Sequence, residues 1–522
     1  MITNIYAITA FAVIGGSLFG FDISSMSAII GTTQYACYFN QGPNPESCDG
    51  PLAIVQGGIT ASMPGGSFLG SLASGIISDK IGRKTAVQIG SVIWLVGSTI
   101  ICASQNIGML IVGRFINGFS VGICSAQVPV YVSELAPPHR RGLVVGTQQW
   151  AITWGILIMF YISYACSYID GSAAFRIPWA LQMTPAILLF FALFFLPESP
   201  RWLAQQDRWE EAIDILALVH ANGDRQDRGV RTVIEQLQST CSTDHDASTS
   251  SYWELFSPNM IWRTHICIFV QIWSQLSGIN VIMYYIVYVF GMAGLNGSAN
   301  LVSSSINYVI NMVTTIFALV FVDKIGRRPM LIGGGISLTI WWFVCAGLMA
   351  GYGKPAPPGG LNNISEESWS ITGAPAKAVI ACSYLVVASF APSWGPISWI
   401  YPPELVPLHL RGKAAAVATA SNWIFNFALS YFVPPAFEDI KWKTYLIFGS
   451  LSFVMTLHTF FCFPETSQRT LEEIEAMFKN GIPTTKTILG LEKNISENNN
   501  IAMVEDVEQS KVDSTHVEIA DA

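Results

Sequence analysis

A six-residue motif occurs twice in this chain, each time between two long apolar stretches. Residues 79–84 read Asp-Lys-Ile-Gly-Arg-Lys, and residues 323–328 read Asp-Lys-Ile-Gly-Arg-Arg. Two further motifs follow in the same order: Glu-Leu-Ala-Pro at 134–137 returns as Glu-Leu-Val-Pro at 404–407, and Pro-Glu-Ser at 197–199 returns as Pro-Glu-Thr at 464–466. Three motifs repeated in one order predict two halves in tandem.

The composition indicates that both halves lie in a membrane. Charged residues make up 12% of the chain, about half the ~25% of an average soluble protein. Apolar residues make up 51%, and the mean hydropathy is +0.44. A soluble globule would need far more charge to cover its surface. The net charge of −8 owes much to the acidic tail, so no nucleic-acid partner is expected.

Twelve apolar stretches have roughly the 20 residues that a helix needs to cross the hydrocarbon core. The predicted spans are 5–30, 54–77, 86–104, 107–131, 143–164 and 179–196 in the first half, and 261–290, 303–322, 330–351, 378–401, 414–437 and 445–463 in the second. The predicted fold class is therefore an all-α membrane protein with about twelve transmembrane helices, six in each half.

Lysine and arginine in the short loops predict the orientation, because these residues are enriched on the cytoplasmic side. They are concentrated on the side of the two repeated motifs, at Lys80, Arg83, Lys84, Arg140, Arg141, Lys324, Arg327, Arg328, Arg411 and Lys413. Both termini are thus expected in the cytoplasm. The sequons at Asn296 and Asn363 then face outward, and whether they carry glycans stays open.

The domain prediction has four parts. Residues 1–197 form the N-terminal bundle, 198–260 a cytoplasmic linker, 261–463 the C-terminal bundle and 464–522 a largely disordered cytoplasmic tail. The linker has helical apolar spacing at Ala212, Ile215, Leu216 and Val219, which indicates short amphipathic helices.

Cysteine and histidine suggest neither a cofactor nor a metal centre, because no CxxC pair or His/Cys cluster has ligand spacing. Cys37 and Cys48 share the first outer loop, where the compartment is oxidising. A disulfide between them and two free thiols are both compatible with the sequence.

Two charged residues lie deep within predicted spans, Asp22 in the first and Arg114 in the fourth. A charged side chain at that depth in a membrane is energetically costly, so we take both residues as functional candidates. We expect them to face each other as a proton-coupling pair, and a purely structural ion pair is the alternative.

Nine linked signatures now indicate a family. They are Gly20-Phe21-Asp22, the motif at 79–84, Gly113-Arg114-Phe115, Pro129-Val130-Tyr131 with Ser133-Glu134 and Arg141-Gly142, the run 197–201, the run 275–280, Gly395-Pro396 with Trp399, Asn422-Trp423, and Pro464-Glu465-Thr466. Together they resemble the sugar porter family of the major facilitator superfamily, and fungal and yeast hexose and pentose transporters in particular. The resemblance implies the major facilitator fold, with two six-helix bundles that rock around a central sugar site.

A sugar site needs side chains that both donate and accept hydrogen bonds, together with aromatic faces for C–H patches. The predicted substrate-binding residues are Gln149, Gln275, Asn280, Tyr284, Asn311, Trp394, Trp399 and Asn422. The resemblance implies that positions matching six of them line the sugar cavity: Gln149, Gln275, Asn280, Asn311, Trp394 and Asn422. Any one of them taken alone is equally compatible with a contact between helices.

Two positions depart from the family pattern. Ser274 precedes Gln275 where the family usually has a pair of glutamines, which makes the sugar harder to identify. The run Ile-Ser-Ser-Met at 23–26 follows Asp22 where glycines are frequent, which leaves this helix less pliable.

The repeated motifs also supply matched charges at the cytoplasmic face. The predicted gate consists of Arg83, Glu134, Arg141, Glu198 and Arg201 in the first half, and of Arg327, Glu404, Arg411 and Glu465 in the second. Such a network can bias an equilibrium between two states, because only the difference in stability between the states matters. Arginines that merely set the topology would not explain the matched glutamates.

These observations predict a transporter rather than an enzyme: it imports a monosaccharide with a proton across the plasma membrane. The expected partners are the sugar, the proton and the lipid bilayer, and the expected assembly is a monomer. A facilitative uniporter and a transporter-like sugar sensor remain as alternatives.

Overall fold

The structure is a computed structural model that describes residues 2–40, 48, 53–137, 140–221, 223–244, 251–295, 297–357, 360–361, 367–467, 474 and 477–478. The sequons at Asn296 and Asn363 and almost all of the acidic tail lie outside these residues.

Nine helices are found in the described part of the first half. They are α1 (Ile5–Ala12), α2 (Ile14–Ile29), α3 (Thr33–Tyr38), α4 (Ala53–Ile81), α5 (Arg83–Cys102), α6 (Ile107–Leu135), α7 (Arg141–Cys166), α8 (Ala173–Leu181) and α9 (Met183–Phe195). Of these helices, α3 is too short to cross a bilayer, and it does not continue a neighbouring helix as α1 and α2 or α8 and α9 do.

The linker contributes α10 (Pro200–Gln205), α11 (Trp209–Ala221), α12 (Arg228–Asp244) and a 3-10 helix, Tyr252–Phe256. On α11, Ala212, Ile215 and Leu216 are buried, as the apolar spacing predicts.

Among the residues of the second half that the structure describes, there are eight α-helices and a short hairpin. They are α13 (Ile261–Leu276), α14 (Ile279–Met292), α15 (Gly297–Ile325), α16 (Arg327–Tyr352), β1 (Lys354–Pro355), β2 (Trp369–Ser370), α17 (Ala374–Phe390), α18 (Trp394–Leu405), α19 (Arg411–Asp439) and α20 (Lys443–Cys462). The strands are antiparallel, with Lys354 opposite Ser370, and the 3-10 helix Leu408–Leu410 precedes α19.

Each predicted span coincides with a helix or with a pair of helices that continue one another. Ten such segments of the described chain are long and apolar enough to cross a membrane. The remaining two predicted spans lie on α4 and α19, each 29 residues long. The prediction of an all-α membrane protein is therefore confirmed.

Four spans are interrupted, and the interruption between α13 and α14 matters for the site. Gly278 adopts a left-handed conformation there, with φ of 82°. A side chain at this position would be strained and would also meet the rings of Phe448 and Trp342. The break turns the polar side chains of Gln275 and Asn280, on either side of it, toward one space.

The two halves meet along two edges related by the repeat. On one edge α4 packs against α19, and on the other α7 packs against α15. Gly57 and Gly65 allow α4 to approach Tyr431 and Phe427 of α19 closely. We call the end of the helices that carries the two repeated motifs the repeat face, and the end that carries α3 the opposite face.

Candidate functional site

A cavity lies between the two halves, and the space free of protein atoms in it and in the open solvent at its mouth is about 450 Å³. First-half helices α2 and α7 supply Phe19, Ile23 and Gln149 to its wall. The second half supplies the remaining polar side chains: Ser274, Gln275, Asn280, Asn311, Ser398, Trp399 and Asn422. The cavity wall is therefore built from both bundles.

Three amide side chains of the second half form a relay in the cavity wall. Asn280 donates from Nδ2 to Gln275 Oε1, and Gln275 donates from Nε2 to Asn422 Oδ1 at 2.6 Å. In this relay, Asn422 Nδ2 is buried without a hydrogen-bond partner, and Asn311 Oδ1 is likewise buried without one. An unpaired buried polar group costs about 1–3 kcal/mol, so the wall is better satisfied when a ligand offers both an acceptor and a donor.

An aromatic residue connects the halves at the same cavity. Trp399 of α18 donates from Nε1 to Oε1 of Gln149 on α7 at 3.0 Å. The Trp399 side chain is buried and lines the space, so its ring forms an apolar surface beside the amides.

Two residues that the sequence analysis put in the cavity lie elsewhere in the structure. Trp394, the first residue of α18, turns away toward α16 and donates from Nε1 to the Leu331 carbonyl at 3.0 Å. Tyr284 lies one turn beyond Asn280 and within electrostatic range of Asp22 and Arg114. Gln149, Gln275, Asn280, Asn311, Trp399 and Asn422 do line the cavity.

Asp22 and Arg114 meet in the first half, as the sequence analysis expects. The distance from Arg114 Nη2 to Asp22 Oδ2 is 3.0 Å, and Arg114 also donates from Nε to the Ile59 carbonyl at 3.0 Å. Both side chains are almost fully buried, at 1% exposure each. An ion pair removed from water in this way is expensive to form.

At the repeat face, each half builds the same cluster from its own residues. Arg83 Nε lies 3.5 Å from Glu134 in the first half, and Arg327 Nη2 lies 2.9 Å from Glu404 in the second. A hydroxyl completes each cluster: Ser199 donates to Glu134, and Thr466 Oγ1 donates to Glu404 at 2.9 Å. These predicted gate residues therefore pair within the halves.

Glu198 and Glu465 have a different role, since each accepts hydrogen bonds from backbone N–H groups at the N-terminus of a helix. Glu198 accepts from the backbone N–H groups of Arg83 and Lys84 at 3.1 Å. Glu465 accepts from those of Arg327 and Arg328 at 3.0 Å. Negative charge is favourable at a helix N-terminus, and these carboxylates tie α5 and α16 to the loops after α9 and α20.

The environment of Glu198 opposes as well as favours its charge. Burial raises the pKa of the Glu198 carboxyl, whereas the Ser199 and Lys84 N–H groups and the charges of Arg83 and Lys84 lower it. Burial is the largest of these effects. Gly82, which precedes Arg83 at the start of α5, has φ of 92°. A side chain at this position would collide with the Glu198 carboxylate.

Two hydrogen bonds between the halves at the repeat face use residues that were not predicted to form the gate. Lys413 of α19 donates from Nζ to Asp79 Oδ2 of α4 at 2.6 Å, and the Leu143 N–H of α7 donates to Asp323 Oδ2 of α15 at 3.1 Å. The signal was present, because both aspartates open the repeated motif. Hydropathy and topology did not indicate that they reach across to the other half.

Arg411 also reaches the first half from the start of α19. It is buried at 3% exposure, and Glu134 attracts it while Arg83, Arg141 and Arg201 repel it. The remaining gate residues, Arg141 and Arg201, are thus close enough to Arg411 for their charges to act on it.

The opposite face has its own contact between the halves. The Tyr308 hydroxyl of α15 donates to the Met283 carbonyl at 3.0 Å and lies 2.9 Å from Ser27 Oγ of α2. Nearby, Cys37 and Cys48 form a disulfide, which resolves the alternative left open by the sequence. The cavity therefore lies between two sets of contacts that join the halves.

Comparison with known proteins identifies relatives over nearly the whole chain. Residues 8–478 match the family model described as "Sugar (and other) transporter". The high-affinity glucose transporter of Kluyveromyces lactis is 49% identical over 486 residues, which cover 93% of this chain and 87% of that protein.

Solved structures of a bacterial protein have the same fold. The proton:xylose symporter XylE of the major facilitator superfamily, bound to 6-bromo-6-deoxy-D-glucose, matches with a TM-score of 0.76 and 26% identity over 91% of this chain and 99% of that one. The inward-open XylE of E. coli matches with a TM-score of 0.66, 26% identity and the same coverage. The predicted major facilitator fold is confirmed, and this conformation is closer to the ligand-bound form than to the inward-open one.

Proposed function

This chain belongs to the sugar (and other) transporter family, and from that premise we propose that it imports a monosaccharide, a hexose or a pentose, together with a proton by alternating access. The proposed substrate site is the cavity between the halves. The proposed proton site is the Asp22–Arg114 pair.

The cavity wall is the observation that carries the proposal. Among the described residues that line it, none is charged, and Gln149, Gln275, Asn280, Asn311 and Asn422 offer amide groups. Amides donate and accept hydrogen bonds, as sugar hydroxyls do, and the Trp399 ring suits the apolar C–H patches of a pyranose. A charged substrate would find no counter-charge in this wall and would lose its hydration.

The relatives support the same class of substrate. The Kluyveromyces lactis relative is described as a glucose transporter, and the structural relative as a proton:xylose symporter. These descriptions favour a hexose or a pentose and leave the choice between them to experiment.

Proton coupling rests on the buried pair. If Asp22 contacts Arg114 in one state and is released in the other, its proton affinity changes as the halves rock. A uniporter has no need of a titratable group at this depth. We further propose that the repeat face is cytoplasmic, with both termini inside, and that the protein acts as a monomer in the plasma membrane.

The test is uptake of labelled glucose and xylose by cells that lack their own sugar transporters and express this chain. We expect saturable uptake, alkalinisation of the medium when sugar is added, and loss of accumulation with a protonophore. Uptake without alkalinisation and without protonophore sensitivity would favour the uniporter. Surface expression without any uptake of a panel of hexoses, pentoses, polyols and disaccharides would favour the sensor.

A further inference from the structure

The 3-10 helix Tyr252–Phe256, which we call the strap, joins the linker to α13 and is fixed to the second half. Its Leu255 side chain is fully buried, and the Leu255 carbonyl accepts a hydrogen bond from Thr264 Oγ1 of α13 at 2.6 Å. Glu254 Oε1 lies 3.1 Å from Nε2 of His409, which precedes α19. The strap is therefore held at two points of the second half.

One residue of the strap crosses to the first half. The Tyr252 hydroxyl donates to the backbone carbonyl of Leu72 on α4 at 2.8 Å. Gly75, one turn further along α4, leaves the room for this contact. A Cβ atom at Gly75 would lie 2.2 Å from the Tyr252 oxygen and 3.2 Å from the Cβ of Ala416 on α19. Tyr252 is thus inserted where α4 and α19 approach each other at the repeat face.

The surroundings of Tyr252 keep its hydroxyl in the donating form. Burial, and to a lesser extent the Asp79 carboxylate, raise its pKa to about 12. Asp79 itself accepts from Lys413 and Arg83. Tyr252 and Lys413 therefore contact α4 at neighbouring but separate points, one through a backbone carbonyl and one through a carboxylate.

We propose that Tyr252 is a positioning residue of the transport cycle, which holds α4 against the second half while the repeat face is closed and must release Leu72 before that face opens. The strap is fixed to the second half, so movement of α4 away from α19 breaks the Tyr252–Leu72 hydrogen bond. This inference rests on the proposed transport cycle for the order of states, but its test requires no transport.

The chain offers a matched pair of variants. Tyr252→Phe removes one hydroxyl that joins the halves at the repeat face. Tyr308→Phe removes one that joins them at the opposite face, through Ser27. Both keep the ring. One neutral hydrogen bond changes an equilibrium between two states by about two- to tenfold, so the two variants should shift the same equilibrium in opposite directions.

The experiment measures the distance between spin labels on purified full-length protein by pulsed electron paramagnetic resonance. The labels are placed at Lys80→Cys and Lys324→Cys, exposed positions at the repeat-face ends of α4 and α15. Cys102, Cys241 and Cys462 are replaced by serine, since Cys102 and Cys462 are partly exposed, whereas Cys124, Cys166, Cys267, Cys345 and Cys382 are buried.

We expect Tyr252→Phe to raise the ratio of long to short distances by about two- to tenfold, and Tyr308→Phe to lower it. An unchanged distribution in Tyr252→Phe, or an equal increase in Tyr308→Phe, would overturn the inference. Should Tyr252→Phe not be recovered in folded form, His409→Ala removes one of the two contacts that fix the strap to the second half and carries the same expectation. Failure of sugar uptake would count against the proposed function alone, because the distances are measured without transport.

Discussion

Asp79 of α4 accepts a hydrogen bond from the Lys413 ammonium of α19 at 2.6 Å, across the boundary between the two halves. The residues are 334 positions apart in the chain. Their side chains are 32% and 12% exposed, so solvent screens the attraction in part. An ion pair of this exposure contributes about 0–1 kcal/mol, and its effect depends on whether it exists in one state of the cycle or in both.

The first prediction follows from this pair. Lys413→Gln should slow sugar uptake by no more than about fivefold, because at most ~1 kcal/mol is lost. Lys413→Asp should slow uptake further, since it sets a carboxylate against Asp79. The double variant Asp79→Lys with Lys413→Asp should recover part of the rate. Lys443→Gln, an exposed position on the opposite face, serves as the control. A Lys413→Asp variant as fast as the parent would contradict the prediction.

The second prediction concerns the amide relay. Gln275→Ala leaves both Asn280 and Asn422 without a partner, and Asn280→Ala leaves Gln275 Oε1 without a donor. Either change should weaken apparent sugar affinity by roughly tenfold or more, in keeping with a cost of about 1–3 kcal/mol per unpaired group. The measurement is the concentration dependence of uptake at matched surface expression. Normal kinetics in Asn280→Ala would remove Asn280 from the site.

A third prediction separates the two tryptophans of α18. Trp399→Phe removes the hydrogen bond to Gln149 and reduces the ring at the cavity, so apparent affinity should fall several-fold. Trp394→Phe removes the hydrogen bond to Leu331 away from the cavity. It should lower thermal stability by about 0.5–1.5 kcal/mol while leaving apparent affinity unchanged. Equal losses of affinity in the two variants would contradict the placement of these rings.

The fourth prediction concerns coupling through Asp22. Asp22→Asn keeps the shape of the side chain but cannot titrate, so accumulation against a gradient should be lost while exchange of bound sugar continues. The free energy that proton entry can supply is about 1.4 kcal/mol per unit of pH difference and about 2.3 kcal/mol per 100 mV of membrane potential. The measurements are alkalinisation of the medium on sugar addition and uptake with and without a protonophore. Asp170→Asn, an exposed carboxylate on the opposite face, is the matched control, and accumulation by Asp22→Asn at the parental level would return Asp22 to a structural role.

Much of the fold was predictable because membrane helices are specified locally. A span of about 20 apolar residues has few alternatives to a helix, since its backbone groups find no water in the bilayer. All twelve predicted spans coincide with helices for this reason. Asp22 and Arg114 could be paired in advance because a lone charge in a span is costly enough to require a partner.

The sequence by itself determined the two tandem halves, the spans, and the residue types from which a neutral polar cavity can be built. Only the tertiary structure decided which side chains reach it: Trp399 lines the cavity and Trp394 does not, although both lie on α18. The tertiary structure also decided that Asp79 meets Lys413 and that Tyr252 meets Leu72. The physical reason is that lipid is as apolar as the interior of a helix bundle, so apolar spacing cannot report how a membrane helix is rotated. Contacts between halves depend on that rotation and on the close approach permitted by Gly75, neither of which has a local signature in the chain.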